Sequence, residues 1–76
     1  MSIKMYDELT IEEHEGAWCV IDEKYHESVK LFLVERIDIE TEAEEGNETR
    51  MIISENKTVL MQDIYDFDDL RFLWKR

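Results

Sequence analysis

Residues 29–40, VKLFLVERIDIE, alternate side chains of different character with a period of two, which is the pattern of an extended strand. The odd-numbered positions place one apolar set on one face, interrupted at Glu35: Val29, Leu31, Leu33, Ile37 and Ile39. Phe32 and Val34 point to the other side, so the first half of the strand is expected to be covered on both faces. Charged residues leave the second half covered on one face only: Arg36, Asp38 and Glu40. We therefore predict a long strand that begins at the centre of a sheet and ends at an edge, where charges discourage unwanted pairing.

Shorter segments around this strand also have strand composition. Residues 17–23, AWCVIDE, follow Gly16 and predict a strand with both faces partly covered. Residues 51–53 and 59–61 are apolar and flank a polar turn at 55–57, which predicts a hairpin.

The remaining segments connect or close the sheet. Over residues 63–70 the apolar period shifts to about three, which indicates a short 3₁₀ or α turn. Residues 71–76, RFLWKR, predict a closing strand with Phe72 and Trp74 on one face. The polar segments 24–28 and 40–48 are expected to be loops, and the Gly46-Asn47 pair supplies the turn in the second.

This order of elements predicts an all-β fold. It is a small bent antiparallel sheet or SH3-like barrel of about five strands, with one short 3₁₀ or α turn before the last strand. The comparison with SH3-like barrels concerns the fold alone and implies no function. Five aromatic residues are expected to supply the core: Trp18, Phe32, Phe67, Phe72 and Trp74. The three tyrosines are expected at the surface or rim: Tyr6, Tyr25 and Tyr65.

The chain has 76 residues and is expected to form a single domain. Residues 1–15 are an acidic N-terminal segment whose pattern fits either a helical turn or part of a hairpin, and residues 16–76 are the β-barrel core. A domain of this size buries roughly 60% of the surface that its unfolded chain exposes. This leaves little room for a deep substrate pocket of ~300 Å³, so we expect a protein that is not an enzyme.

The charge balance restricts the partners. There are 20 acidic residues against 9 basic ones, which gives a net charge of −11. Direct binding to nucleic acid or to an anionic membrane is disfavoured, because both need a basic footprint. A basic protein surface or metal cations are the plausible partners. Alternatively, the charge serves only solubility, and its self-repulsion favours a monomer.

Cysteine and histidine indicate no cofactor or metal site. Cys19 is the only cysteine, so no disulfide can form within the chain, and its apolar neighbours predict an inert core residue. His14 and His26 lack the spacing of a zinc site and are expected to be exposed. No signal peptide or transmembrane run is apparent, and we expect a cytoplasmic protein in a reducing compartment.

The segment 61–72, MQDIYDFDDLRF, carries the densest cluster of acids and has three interpretations. At a spacing of three, Asp63, Asp66 and Asp69 lie along one ridge, and an apolar ridge adjoins it: Ile64, Phe67 and Leu70. In the structural interpretation, the apolar ridge packs on the barrel and the first acids cap the turn. A calcium site would need a glycine at the sharp turn and a bidentate glutamate, which are both missing. In the third interpretation, the acids form a docking face.

The leading functional hypothesis is a non-enzymatic, acidic protein-binding domain that acts on a basic partner. Its most specific form is a DNA mimic that inhibits a nucleic-acid-binding protein. Small acidic single-domain proteins of phages and mobile elements often resemble this chain in composition. The alternative is an SH3-like module that binds a peptide or subunit and whose charge serves only solubility. The predicted partner-binding residues come from two acidic segments: Glu40, Glu42, Glu44, Glu45, Asp63, Tyr65, Asp66, Asp68 and Asp69. Tyr65 is the expected aromatic anchor, although it could instead cover the mouth of the barrel.

Overall fold

The computed structural model describes residues 1–22, 30–42, 44 and 46–75, and within them the chain forms six strands. The long strand predicted from residues 29–40 is confirmed, and so are the four shorter ones at 17–23, 51–53, 59–61 and 71–76. A further strand precedes them. The bounds are β1 (Ser2–Met5), β2 (Trp18–Ile21), β3 (Lys30–Thr41), β4 (Glu48–Ser54), β5 (Val59–Met61) and β6 (Arg71–Trp74). The turn predicted at 24–28, with Tyr25 and His26, lies outside the described residues.

The strands form one antiparallel sheet in the order β1-β6-β2-β3-β4-β5. The predicted all-β class and bent sheet are therefore confirmed. The sheet is not closed into a barrel, because β1 and β5 are its two edges. Helical structure in the described residues is limited to short 3₁₀ turns at Tyr6–Glu8, Glu12–His14 and Phe67–Asp69. The last of these immediately precedes β6, as predicted.

A β-bulge in β3 joins the two halves of the sheet. Residues 30–33 pair with β2, whereas residues from Val34 to Thr41 pair with β4, and the register shifts between Val34 and Arg36. The extra residue lets Val34 and Ile37 both point into the core although they are three positions apart. The prediction that the odd-numbered residues share one buried face is therefore wrong: Ile37 is buried, but Leu31 is 56% exposed on the other side.

The core lies on the concave side of the bent sheet. Phe72, Cys19 and Ile21 are fully buried there, and Phe67 and Leu70 of the closing turn pack on them. This confirms that Cys19 is a core residue. Phe32 and Trp74 are partly buried against the same cluster. Trp18 was expected in the core but is 38% exposed, because it follows the parity of Leu31 and points to the convex side.

The first fifteen residues, whose structure the sequence left open, belong to this core. β1 pairs with β6, with Ser2 opposite Trp74. Thr10 and Glu13 form a capping box: the Thr10 N–H donates to Glu13 Oε1 at 2.9 Å, and the Glu13 N–H donates to Thr10 Oγ1 at 3.2 Å. This second 3₁₀ turn directs His14 inward. Tyr6 is also buried, so the surface positions predicted for Tyr6 and His14 are wrong.

Candidate functional site

Both acidic segments of the sequence lie at one end of the sheet. β3 ends at Thr41, β4 begins at Glu48 and β5 ends at Met61, and antiparallel pairing brings these three termini together. The pairing continues one residue past β5, because the Gln62 N–H donates to the Arg50 oxygen at 3.0 Å. Neighbouring strands lie ~4.8 Å apart, so the start of the aspartate segment is about 10 Å across the sheet from Ile39, near the end of β3.

We call this end of the molecule the acidic end and define it by its described carboxylates: Glu40, Glu42, Glu44, Asp63, Asp66 and Asp68. All six residues are exposed. Gly46 lies in the turn between β3 and β4, as predicted. Its N–H donates to the Glu42 oxygen at 2.8 Å, and its φ of 68° is left-handed. Glu45 lies outside the described residues, and Asp69 is half-buried beside the outer side of the sheet.

An open groove of about 440 Å³ runs along the aspartate segment. Its walls are Tyr6 and residues 62–68. Ile64 was expected to pack on the barrel but is 67% exposed at the groove. The reason is a tight turn after Met61, whose oxygen accepts hydrogen bonds from the Ile64 and Tyr65 N–H groups at 3.0 and 2.9 Å. The period of three therefore begins only at Phe67.

Tyr65 and Asp66 contribute structure as well as surface. Tyr65 is half-buried, packs against the core and forms part of the wall of the groove. Asp66 caps the last 3₁₀ turn, because its Oδ1 accepts the Asp68 N–H at 3.0 Å. The prediction that an acid caps this turn is thus confirmed for Asp66. Asp63 and Asp68 remain as the exposed carboxylates whose side chains make no such contact in the described part of the chain.

Arg36 and Lys57 lie away from the acidic end, whereas Arg50 of β4 lies at this end, and its guanidinium donates to the Tyr6 hydroxyl at 3.2 Å. Lys57 donates to both oxygens of Glu35 at 2.7 Å and lowers the pKa of that carboxyl, and Arg36 pairs with Glu35 at 2.6 Å and Asp38 at 3.1 Å. Within the described residues, no cation makes an ion pair with Glu40, Glu42 or Asp63. Six described carboxylates against Arg50 leave the net charge of this end negative.

A second surface, not anticipated from the sequence, lies on the convex side of β1, β6, β2 and the first half of β3. Cross-strand pairing aligns its side chains in two rows: Ile3, Leu73, Trp18 and Leu33, and then Met5, Arg71, Val20 and Leu31. We call these eight residues the outer face. Seven of them are apolar. The sequence predicted that strands of this composition would be covered on both sides, but here one side is open to solvent.

Shallow pockets border the outer face, and acidic residues line them. A groove of about 310 Å³ lies between Trp18, Leu31 and Glu55. A pocket of about 240 Å³ lies beside Val20 and Arg71 and is lined by Asp22 and Asp69. The outer face is thus an apolar surface with carboxylates at two of its margins. The alternation of residues along the strands would have predicted the outer face only if the position of the bulge in β3 had been known.

Cys19 and His14, the cysteine and the histidine in the described residues, are both buried. Burial raises the pKa of the Cys19 thiol to about 12, so it is not a nucleophile at neutral pH. His14 is enclosed by Tyr6 and Phe72, with ring centroids 4.7 and 4.8 Å away. Among the described residues, no group of three or more His, Cys, Asp or Glu side chains is arranged to hold a metal ion.

Comparison of the chain with protein-family models, curated protein sequences and solved structures found no significant match. No helix in the described residues is long and apolar enough to cross a membrane.

Proposed function

We propose that this protein is a non-enzymatic binding domain that acts on a basic protein surface through its acidic end. The observation that supports this best is the convergence of two acidic segments, far apart in sequence, at one end of the sheet. Solubility alone does not need such clustering, since a net charge of magnitude ~2–8 suffices for a small domain.

The acidic end would act in two stages. Its carboxylates attract a cationic surface over a distance and raise the association rate. At contact, Ile64 would supply an apolar anchor between Asp63 and Asp66, with the half-buried Tyr65 as a rigid wall. Ile64 takes the anchor role that the sequence pattern had suggested for Tyr65.

Inhibition by DNA mimicry is the most specific form of this proposal. Duplex DNA carries one charge per ~1.7 Å of its axis, so a protein that binds phosphates responds to closely spaced negative charges. Carboxylates from two segments that meet at one end of the sheet supply part of that density. The basic partner would then be a nucleic-acid-binding protein, and a cytoplasmic site of action follows from the same proposal.

The first test measures binding of a fluorescent, lysine- and arginine-rich peptide at 50 mM and 150 mM salt. The double variant Asp63→Asn/Asp68→Asn should weaken binding about fivefold, because each rim charge contributes ~0.5 kcal/mol. The matched control is Glu12→Gln/Glu15→Gln, which removes the same charge from two exposed residues, one in the second 3₁₀ turn and one directly after it. Equal weakening by both pairs would show that only net charge matters and would refute a site at the acidic end.

The second test addresses mimicry directly. The peptide is first bound to labelled duplex DNA, and the wild-type domain is then added. Wild type should displace the DNA at lower concentration than Asp63→Asn/Asp68→Asn does, since both ligands compete for the same cations. If a ternary complex forms without displacement of the DNA, the protein would still bind a basic partner, but inhibition by DNA mimicry would be excluded.

A second candidate function is a peptide- or subunit-binding module. The outer face favours it, because seven neighbouring apolar side chains on one side of a sheet are typical of a surface that another chain covers. The two candidates use different surfaces and are therefore separable by substitution.

A further inference from the structure

We infer that the outer face binds an amphipathic α-helix of a partner protein, with the apolar stripe of the helix on the sheet and lysine or arginine residues along its flanks. The inference rests on the second candidate function and names the segment that such a module would bind. It does not depend on the acidic end.

Three observations show that this face is built to be covered. Ile3 is 67% exposed and Leu31 56% exposed, and the half-exposed Trp18 lies between them in the rows. Strands β2 and the first half of β3 have apolar residues on both sides, which is the composition of strands buried on both faces. The concave side of the same strands holds the core, so only the convex side is left for a partner.

The geometry favours a helix over an extended segment. A strand laid on the face of a sheet would leave its own N–H and C=O groups unpaired, whereas a helix satisfies them internally. The first row crosses four strands, which spans about 14 Å between the axes of β1 and β3. A helix of about ten residues has that length at ~1.5 Å per residue.

The charges at the margins of the outer face favour basic residues on both sides of the apolar stripe of that helix. Glu55 lies beside the Trp18 and Leu31 groove, and Asp22 and Asp69 lie beside Val20 and Arg71. Arg71 is the one charged member of the two rows, and its guanidinium donates to the Asp68 and Leu70 oxygens at 3.1 Å. The margins are therefore net acidic and complement a basic helix.

A second copy of this chain fits the face less well. The outer face has eight residues, against about 20–30 residues on each side of a stable interface. Each copy would also bring a net charge of −11 to the contact. Self-association would have to overcome that repulsion with a small apolar area.

The test uses a synthetic peptide of about 14 residues, with leucines at helical positions i, i+3, i+4 and i+7 and lysines elsewhere. A scrambled peptide of identical composition has the same charge but no apolar stripe. Titration at 150 mM salt should show binding of the amphipathic peptide with a gain of helicity in circular dichroism, and at least about tenfold weaker binding of the scrambled peptide.

The chain offers a matched pair of variants, because Ile3 and Ile64 are both 67% exposed and lie on different surfaces. Ile3→Asn/Leu31→Asn should weaken binding of the amphipathic peptide at least about tenfold, whereas Ile64→Asn should change this binding less than about twofold. Leu31→Asn alone replaces the double variant if thermal melting shows that the double variant is not folded. Asp63→Asn/Asp68→Asn should also leave this binding within about twofold, which separates the outer face from the acidic end.

Two results would overturn the inference. One is equal binding of the amphipathic and scrambled peptides, or equal loss with Ile3→Asn/Leu31→Asn and Ile64→Asn. The other is a dimer in sedimentation that Leu31→Asn dissociates, since this would make a second copy the occupant of the outer face.

Discussion

His14 combines burial with two carbonyl neighbours. It is 1% exposed, its Nδ1 lies 2.6 Å from the Thr10 oxygen, and its Nε2 lies 3.0 Å from the Tyr6 oxygen. A neutral imidazole carries one N–H and so donates to only one of these oxygens. Burial, the larger effect, lowers the pKa of His14, whereas the carbonyls and Glu13 oppose it.

A lowered pKa in the folded state means that the unfolded chain binds the proton more tightly. The free energy of unfolding should therefore fall as pH decreases below about 6.5, by up to ~1.4 kcal/mol per pH unit until the folded-state pKa is reached. Urea denaturation at pH 7.5, 6.5 and 5.5 measures this loss. His14→Gln should be less stable at neutral pH but should show a flatter dependence on pH. If wild type instead gains stability relative to His14→Gln on acidification, the two carbonyls outweigh burial and His14 is an imidazolium.

The sequence indicated the environment of Cys19 correctly but that of His14 wrongly. Cys19 lies in an apolar run of the sequence, and in the fold it is also surrounded by apolar residues. His14 lies among Glu12, Glu13 and Glu15, which suggested solvent. The capping box formed by Thr10 and Glu13 turns the chain so that His14 alone of this group points inward. The Thr-x-x-Glu spacing was the available signal.

At the scale of the elements, the entry to β2 depends on the backbone of Gly16. Gly16 has a φ of 82°, and its N–H donates to the Val34 oxygen at 2.9 Å, which ties the second 3₁₀ turn to β3. Apart from Gly16 and its two chain neighbours, no residue has a heavy atom within 4 Å of the position that a Cβ would take. Any penalty for a side chain here is therefore one of backbone conformation and not of packing.

Gly16→Ala should lower the free energy of unfolding by about 1 kcal/mol, because L-residues other than Asn and Asp disfavour this φ. Gly16→Asn should cost less, since Asn tolerates the left-handed region. Urea denaturation of the three proteins under one condition compares them. A Gly16→Ala variant as stable as wild type would mean that the turn relaxes to another backbone conformation at no cost.

The elements that the sequence predicted best are those defined by local alternation: the β4–β5 hairpin, β6 and the length of β3. The bulge was missed because an extra residue leaves no mark on composition, and it reversed the predicted face of Leu31. β1 was missed because no turn links it to a neighbouring strand, since its partner β6 lies almost the whole chain away. The convergence of the acidic segments followed from the sheet order, which local patterns do not determine.

For the molecule as a whole, repulsion among the negative charges destabilises the folded state. The net charge is −11, and Arg36 of β3 and Lys57 of the β4–β5 turn are engaged around Glu35 and Asp38, away from the acidic end. Raising salt from 10 mM to 150 mM shortens the screening length from about 30 Å to about 8 Å. The repulsion among the carboxylates should then weaken more than the few ion pairs do.

The melting temperature should therefore rise by several degrees over this salt range, as followed by circular dichroism at neutral pH. Asp63→Asn/Asp68→Asn should gain less from salt than wild type, because part of the repulsion is already removed. A fall in melting temperature with salt would show that the ion pairs of Glu35 and Asp38 dominate. Peptide binding at the acidic end should respond in the opposite sense, so that salt separates folding from recognition.

The place of β6 between β1 and β2 also has a consequence for biosynthesis. Both of those strands emerge from the ribosome long before residues 71–74 exist, and neither can complete its pairing until then. The contact between Ser2 and Trp74 closes a loop of nearly the whole chain, which is the kind of distant contact that slows folding. The β4–β5 hairpin can form locally during translation, whereas the half of the sheet that carries the outer face must assemble after it.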